Sequence, residues 1–589
     1  MSTSTTASAA ATPRMPTEPF TARRVLVLAA ALIAAQLIVR SVVLASGNFY
    51  WDDLILIGRG TTFPLLSADL LLYDHDGHFM PAAFFLAGVA TKLAPLQWWL
   101  PAVTSLVMQA AASYAVLRLL RKVLGNNPML LLPLIFYLFS PLTLPSFTWW
   151  AAALNSLPLQ FGLAWVAGDA IGLVRTGRRR YTVSGAIITG ISLLFFEKSL
   201  LIPLVAFGVV ALMFGSRKAW NSASALWVSC GLIVAAWAVV YLTVVRTGLA
   251  FHGFRTTVEL IHHGLSLGLL PTLLGGPWAW ERWPPAGPWA APPLVLVIAG
   301  WLLIVAAVVF SIRRHIAALA LVAGYVAASI AVMVMSRSGP ETANELAQTL
   351  RYVADSAVVI AASWALILRQ ALILRHQPKR RSLWFLAAAA FVVSSLVSTA
   401  TFVDKWRDDP APDYLAATRQ SLADNRDVPL LDQPISTWVL TPMAYPENSM
   451  ARIFGALEDR PDFASSTTDL RYLDESGHLV PAVVLPSRSI VGGPEAGCGY
   501  RVGERTRIPL DGALPDWDWT VQLNYFSGEG GNLELELDTG QAVTVPLKSG
   551  LNTTYVRLTG SGSALTASAG TSDVCVGEGP VGVVMLANE

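Results

Sequence analysis

The first two thirds of the chain alternate between long apolar runs and short polar punctuation. A bilayer-spanning helix needs about 20 mostly apolar residues. Runs of that kind recur near residues 24–45, 97–119, 128–147, 151–174, 182–196, 199–215, 221–245, 291–311, 316–335, 353–373 and 383–403. This predicts about eleven transmembrane helices, the fifth being short. After residue 403 no spanning run remains and charged positions become frequent.

The last third shows two other periods. A helical pattern around Tyr414, Leu415 and Leu422, then an apolar strand at Val428–Leu431, predicts a small α/β region over 404–500. Strict alternation at Leu533, Leu535 and Leu537 and at Val543, Val545 and Leu547, broken by Gly and Asn, predicts antiparallel strands. A β-sandwich over 501–589 is the expected result. Residues 1–22, rich in Ser, Thr, Ala and Pro, predict a disordered cytoplasmic tail. They do not read as a secretory signal, because Arg23 and Arg24 precede a run of spanning length.

Charge placement sets the sidedness. Counting from a cytoplasmic N-terminus, the inner loops hold Arg118, Arg121 and Lys122; Arg175 and Arg178 to Arg180; Arg217 and Lys218; Arg313 and Arg314; and Arg375 with Lys379 to Arg381. The outer loops hold Asp52, Asp53, Asp74, Asp76, Glu197, Glu259, Glu281, Glu341 and Glu345. By the positive-inside rule, an odd span count puts everything after residue 403 outside. The expected fold is a polytopic α-helical membrane protein, N-terminus in and C-terminus out, with a transmembrane domain over 23–403, a long outer loop over 46–96 and an extracytoplasmic tail. The expected location is the plasma (inner) membrane.

Composition agrees. With 54% hydrophobic and 14% charged residues, the 589-residue chain has too much apolar surface for a water-soluble globule. No stripe of basic and aromatic residues points to nucleic acid, and a net charge of +2 says little about partners. Of three cysteines, Cys230 falls in an apolar run, while Cys498 and Cys575 fall in the polar tail. A disulfide between those two is expected in an oxidising compartment.

Candidate chemistry gathers at the outer mouths of the predicted helices. Asp52 and Asp53 follow Phe49, Tyr50 and Trp51 and precede Leu54 to Ile57. Carboxylates between two apolar stretches are partly desolvated, which raises their basicity and suits a general base; solvated acids in an interfacial belt are the plainer reading. Further along the loop stands Tyr73-Asp74-His75-Asp76-Gly77-His78-Phe79-Met80-Pro81, ahead of an apolar helix near 82–94 expected to lie along the interface. Asp74 and Asp76 could hold a divalent metal, or could cap a helix start. Glu197 and Lys198 interrupt an apolar stretch from Val183 to Phe214. They either pair with each other, or Lys198 holds a phosphate while Glu197 orients it or the acceptor. Arg351 and Tyr352 stand at the mouth of the tenth span, where the Arg either meets an anionic headgroup or snorkels to lipid phosphate. Trp278, Trp280, Trp283 and Trp289 could stack on sugars or form an aromatic belt. His262 and His263 have no further ligands nearby, so no metal is expected there.

An acidic pair after the first span, a long first outer loop with a His-x-x-Pro element at His78 to Pro81, many spans and an outer soluble tail together resemble the GT-C superfamily of polyprenyl-phosphate-dependent membrane glycosyltransferases. The sandwich-like tail over 501–589 is similar to the carbohydrate-binding-like domains of actinobacterial cell-wall members such as arabinosyltransferases. The resemblance implies that Asp52 or Asp53 deprotonates an acceptor hydroxyl, which attacks a lipid-phosphate sugar with inversion. It also implies that Lys198, Arg351 and His78 bind the donor phosphate, with Glu197, Asp74, Asp76 and Tyr352 orienting substrate. The implied partners are a polyprenyl-phosphate sugar donor, an envelope glycan or glycolipid acceptor and the bilayer; the one candidate cofactor is a divalent metal at Asp74 and Asp76. A transporter or flippase, or a non-catalytic glycan-binding scaffold, are the competing classes; the first predicts internal repeats, which the sequence lacks.

Overall fold

The computed structural model describes residues 19–246, 253–311, 315–337, 342–373, 381–570 and 574–587. The expected tail over 1–18 and the basic residues Arg313, Arg314, Arg375, Lys379 and Arg380, with Glu341, lie outside them.

Among the described residues, nine helices are long and apolar enough to cross a membrane: Ala22–Ala45, Trp99–Leu124, Pro128–Thr148, Trp150–Thr176, Glu197–Phe214, Ser216–Val244, Ile316–Ser336, Ser356–Ile373 and one within Ser382–Asp424. The protein is therefore a multi-pass membrane protein. Eleven spans were expected, and the other two runs are helical but shorter. Arg180–Leu193 has only 14 residues, and the apolar part of the next is Leu294–Phe310. At 1.5 Å per residue the first of these reaches about 21 Å, short of a hydrocarbon core near 30 Å.

The Pro128–Thr148 segment is broken. A helix at Leu131–Phe139 ends at Ser140, whose side chain caps a 3-10 turn at Pro141–Thr143, and a short helix follows at Leu144–Thr148. Pro141 and Pro145 forbid a continuous ladder. Irregular backbone at membrane depth is tolerated where protein covers it, and nearly all residues of this segment are buried.

Compactness divides the chain out of sequence order. One unit takes the residues through Gly47, Ala68–Ala83 and Trp99–Asp408, and the other takes Asn48–Ser67, Phe84–Trp98 and the residues from Asp409 on. Two stretches of the loop over 46–96 thus belong with the C-terminal region rather than with the helical bundle. Phe49, Leu54, Ile55 and Ile57 share a core with Tyr414, Leu415, Leu440, Ile453 and Phe454. The helix Pro81–Leu93, expected at the interface, approaches Asp52–Thr62 so closely that a Cβ on Gly60 would stand 2.9 Å from the Gly88 Cα.

In the C-terminal region the helix Ala411–Asp424 is followed by a two-residue parallel pair, Leu430–Leu431 with Phe463–Ala464. Ten strands then form one sheet: β1 Ser466–Thr467, β2 Arg471–Leu473, β3 Leu479–Ser489, β4 Tyr500–Val502, β5 Thr506–Ser527, β6 Gly531–Gly540, β7 Val543–Leu547, β8 Gly550–Ala569, β9 Val574–Val576 and β10 Pro580–Leu586. Its main order is β7-β6-β8-β5-β10-β3-β2. The long strands β5 and β8 pair along their length, with register shifts around Gly560, Gly562 and Ala564. Val556 and Leu558 before the shifts and Leu565 and Ala567 after them enter the same core. The two expected layers are therefore halves of one bent sheet, turned where glycines allow the bulges. Cys498 and Cys575 are disulfide-bonded, joining the approach to β4 to β9.

Candidate functional site

Asp52 and Asp53 open the helix Asp52–Thr62, where carboxylates are favoured by the unpaired amides of the first turn. Trp51 before them stands at φ 42, in the left-handed region. For a bulky residue this stores roughly 1–3 kcal/mol, a feature that clusters at functional sites. The two acids differ. Asp53 is fully buried, and its Oδ2 accepts the Tyr50 amide at 3.0 Å. Asp52 is half-buried. Asp53 folds the turn back on itself, leaving Asp52 the more accessible carboxylate.

The far end of this helix is pinned by charge. Arg59 Nη1 donates to Glu447 Oε1 at 2.9 Å, with both side chains buried, and Arg452 Nη1 donates to Glu447 Oε2 at 2.9 Å. The Arg59 guanidinium also lies 4.7 Å from the Phe63 ring. Asp52 and Asp53 thus ride on a helix fixed at both ends within the second unit.

The other candidates belong to the first unit. Glu197 and Lys198, adjacent in sequence, do not pair with each other. Glu197 Oε1 bonds His78 Nδ1 at 2.8 Å. Lys198 is buried, with Nζ donating 2.8 Å to the Tyr352 carbonyl and 2.8 Å from Asp355 Oδ2. The second Asp355 bond comes from the Tyr325 hydroxyl. Lys198 is therefore neutralised by a buried acid instead of standing open to a phosphate. The reading of Asp355 as part of an apolar span missed it; a lone acid at the head of the Ser356–Ile373 helix was the available signal.

Arg351 stacks its guanidinium 4.5 Å from the Trp149 ring and 4.9 Å from the Tyr352 ring, and donates to the Tyr352 hydroxyl at 2.9 Å. It is half-buried on aromatic faces, so it does not simply snorkel.

Asp74 and Asp76 build a hairpin. His75 and His78 exchange backbone bonds of 3.1 and 2.9 Å, and both central residues, Asp76 and Gly77, have positive φ, as a type I′ turn requires. Asp74 Oδ1 accepts the Gly77 amide at 2.9 Å and Oδ2 the Arg246 amide at 2.8 Å. Among the described residues no three His, Cys, Asp or Glu side chains gather as a metal seat. No metal role is assigned to them. Instead, the turn presents His78 to Glu197, and the Tyr241 hydroxyl braces it through the Gly77 carbonyl at 2.9 Å.

The tryptophans divide similarly. Trp280 and Trp289 sit on a small antiparallel hairpin and are buried, with Trp280 Nε1 bonded to the Ser398 carbonyl at 2.9 Å, whereas Trp283 is exposed. His263 pairs with Gln348.

No family model and no curated protein matches the chain. Among solved structures, it is similar to ArnT from Cupriavidus metallidurans bound to undecaprenyl phosphate, at 14% identity over 72% of this chain and 87% of that one, with a TM-score of 0.41. It is also similar to the mycobacterial arabinofuranosyltransferase AftD, at 13% identity over 94% of this chain and 59% of that one, TM-score 0.36. The arabinosyltransferase EmbB from Mycobacterium smegmatis matches at 13% identity over 98% of this chain and 66% of that one, TM-score 0.30. These likenesses are low, and the functional reading stands on the chain's own side chains.

Proposed function

We propose that the protein is a membrane glycosyltransferase that moves a sugar from a polyprenyl-phosphate donor to an envelope glycan, lipid or protein acceptor on the outer face. The observation that carries this reading is the unequal acid pair: a half-buried Asp52 beside a buried, backbone-bonded Asp53, directly after a strained Trp51. In the proposed step the Asp52 carboxylate takes the proton of the acceptor hydroxyl as its oxygen bonds to the anomeric carbon. The bond from that carbon to the phosphate oxygen breaks, and polyprenyl phosphate leaves with inversion at carbon. Within the first unit, Arg351, held on Trp149 and Tyr352, and His78, oriented by Glu197, are the proposed ligands of the donor phosphate. Lys198 holds the Tyr352 carbonyl and Asp355 in place.

Two cavities support the reading. One of about 600 Å³ is almost wholly apolar, lined by Leu265, Leu270, Trp301, Val326, Ile330 and Val334, and suits a polyprenyl chain. Another, of about 810 Å³ in the C-terminal region, is lined by Asp432, Phe463, Asp516, Gln541, Arg557 and Thr559. Carboxylates, an amide and an aromatic ring together suit a glycan. The decisive experiment is transfer from a synthetic polyprenyl-phosphate sugar by the purified protein; full transfer by both Asp52→Asn and Asp53→Asn would remove the proposal.

A further inference from the structure

The first helix carries a cation that the glycosyl-transfer reading does not use. Arg40 lies five residues before Ala45, the end of the Ala22–Ala45 span, hence about 8 Å below it along the axis. It does not snorkel, being only 4% exposed. Its Nη2 donates to Thr143 Oγ1 at 2.6 Å, and its guanidinium lies 4.7 Å from the Phe147 ring. No carboxylate pairs with it among the described residues, and its buried Nη1 has no hydrogen-bond partner among them.

One turn earlier, Gln36 is 1% exposed. Its Oε1 accepts the Ser113 hydroxyl at 2.7 Å, which turns its amide nitrogen the other way, and that nitrogen is also unpartnered. At spacing i, i+4 the two side chains share one face of the helix. Both line a small cavity with Leu138, Phe139, Leu144 and Thr399. A charged N–H and a neutral amide N–H with nothing to receive them, in a bilayer, form a donor-only site.

We propose that Arg40 and Gln36 bind an oxygen of a phosphate group, from a membrane-lipid headgroup or from free phosphate. The cavity measures about 10 Å³, room for one oxygen-sized group, so a single phosphoryl oxygen inserts while the rest of the group stays outside.

The test uses the purified, delipidated full chain in neutral detergent. One arm adds phosphatidylglycerol and counts bound lipid by native mass spectrometry; the other adds inorganic phosphate and follows thermal unfolding. The expected result is that Arg40→Gln lowers lipid retention about tenfold, the equivalent of one charge-assisted hydrogen bond. Gln36→Ala, which keeps the charge, should give a smaller loss in the same direction and serves if Arg40→Gln fails to fold. A phosphate-induced rise in Tm that these variants abolish supports the site with free phosphate as its source. If neither ligand's effect changes in either variant, the cavity holds water only and the proposal is overturned.

Discussion

Lys198 closes a buried ion pair with Asp355 at 2.8 Å, although Glu197 stands beside it in the chain. Glu197 turns instead to His78, at 2.8 Å. Two neighbouring charges in an apolar stretch thus tie together different parts of the helical unit.

Breaking one side of the first pair strands the other charge in the bundle. Asp355→Asn should lower stability by about 3–5 kcal/mol, and Lys198→Met combined with Asp355→Leu should recover part of that loss. Thermal unfolding in detergent reads both. An unchanged midpoint for Asp355→Asn would show that the pair is not an anchor.

Asp52 and Asp53 should separate by phenotype. With Asp52 as general base, Asp52→Asn should cut transfer by about 10²–10⁴ while leaving the unfolding midpoint in place. Asp53→Asn should lower both, because Asp53 bonds the Tyr50 amide inside a buried turn. The reverse assignment, with stability lost only at Asp52, would exchange their roles.

The Arg59, Glu447 and Arg452 cluster holds the acid-bearing helix against the C-terminal region. Glu447→Gln should destabilise that unit by about 3–5 kcal/mol, since it neutralises the buried carboxylate that Arg59 and Arg452 share. Limited proteolysis between residues 48 and 67 should accelerate in the variant. Equal cleavage rates would argue against the tether.

Reduction should weaken the C-terminal sheet. Cys498 and Cys575 are separated by 77 residues, and opening a loop of that size removes about 3–5 kcal/mol on chain-entropy grounds. Cys575→Ser should lower the denaturant midpoint of this region. It should leave the helical unit's midpoint alone.

Acid should act on the same region. The Ser563 amide, with Arg507, holds the Asp538 carboxyl below its ordinary value. Burial would raise Asp518, but bonds from Thr559 and Arg557 outweigh it and bring it below its ordinary value. A carboxyl lowered in the folded state contributes stability above its unfolded pKa, about 3.9, and loses it as pH falls through the folded one. The C-terminal midpoint should therefore hold from neutrality to about pH 4 and drop below it. Asp538→Asn should flatten that drop, as a pH series of melts would show.

Much of this was legible in the chain. Apolar runs of spanning length mark the membrane helices because bilayer thickness acts on contiguous residues, and alternation at Leu533, Leu535 and Leu537 marks a strand because successive side chains face opposite sides of a sheet. The disulfide followed from where the cysteines fall, Cys498 and Cys575 being the two in the polar tail. The hairpin at Asp74 to His78 was open to reading as well: Asp76-Gly77 is a strong turn signal, which the metal-like spacing of its acids obscured.

What the sequence by itself determined is therefore mostly local: the apolar spans, the alternating strands, where charge falls between them, and that two acids stand side by side after the first span. Tertiary structure alone decided the partners. Lys198 finds Asp355 across 157 positions and Arg59 finds Glu447 across 388, and stretches of the loop over 46–96 pack with the C-terminal region. The physical reason is that a buried charge must be satisfied by whichever counter-charge the packing brings within reach, and no periodicity along the chain encodes that choice.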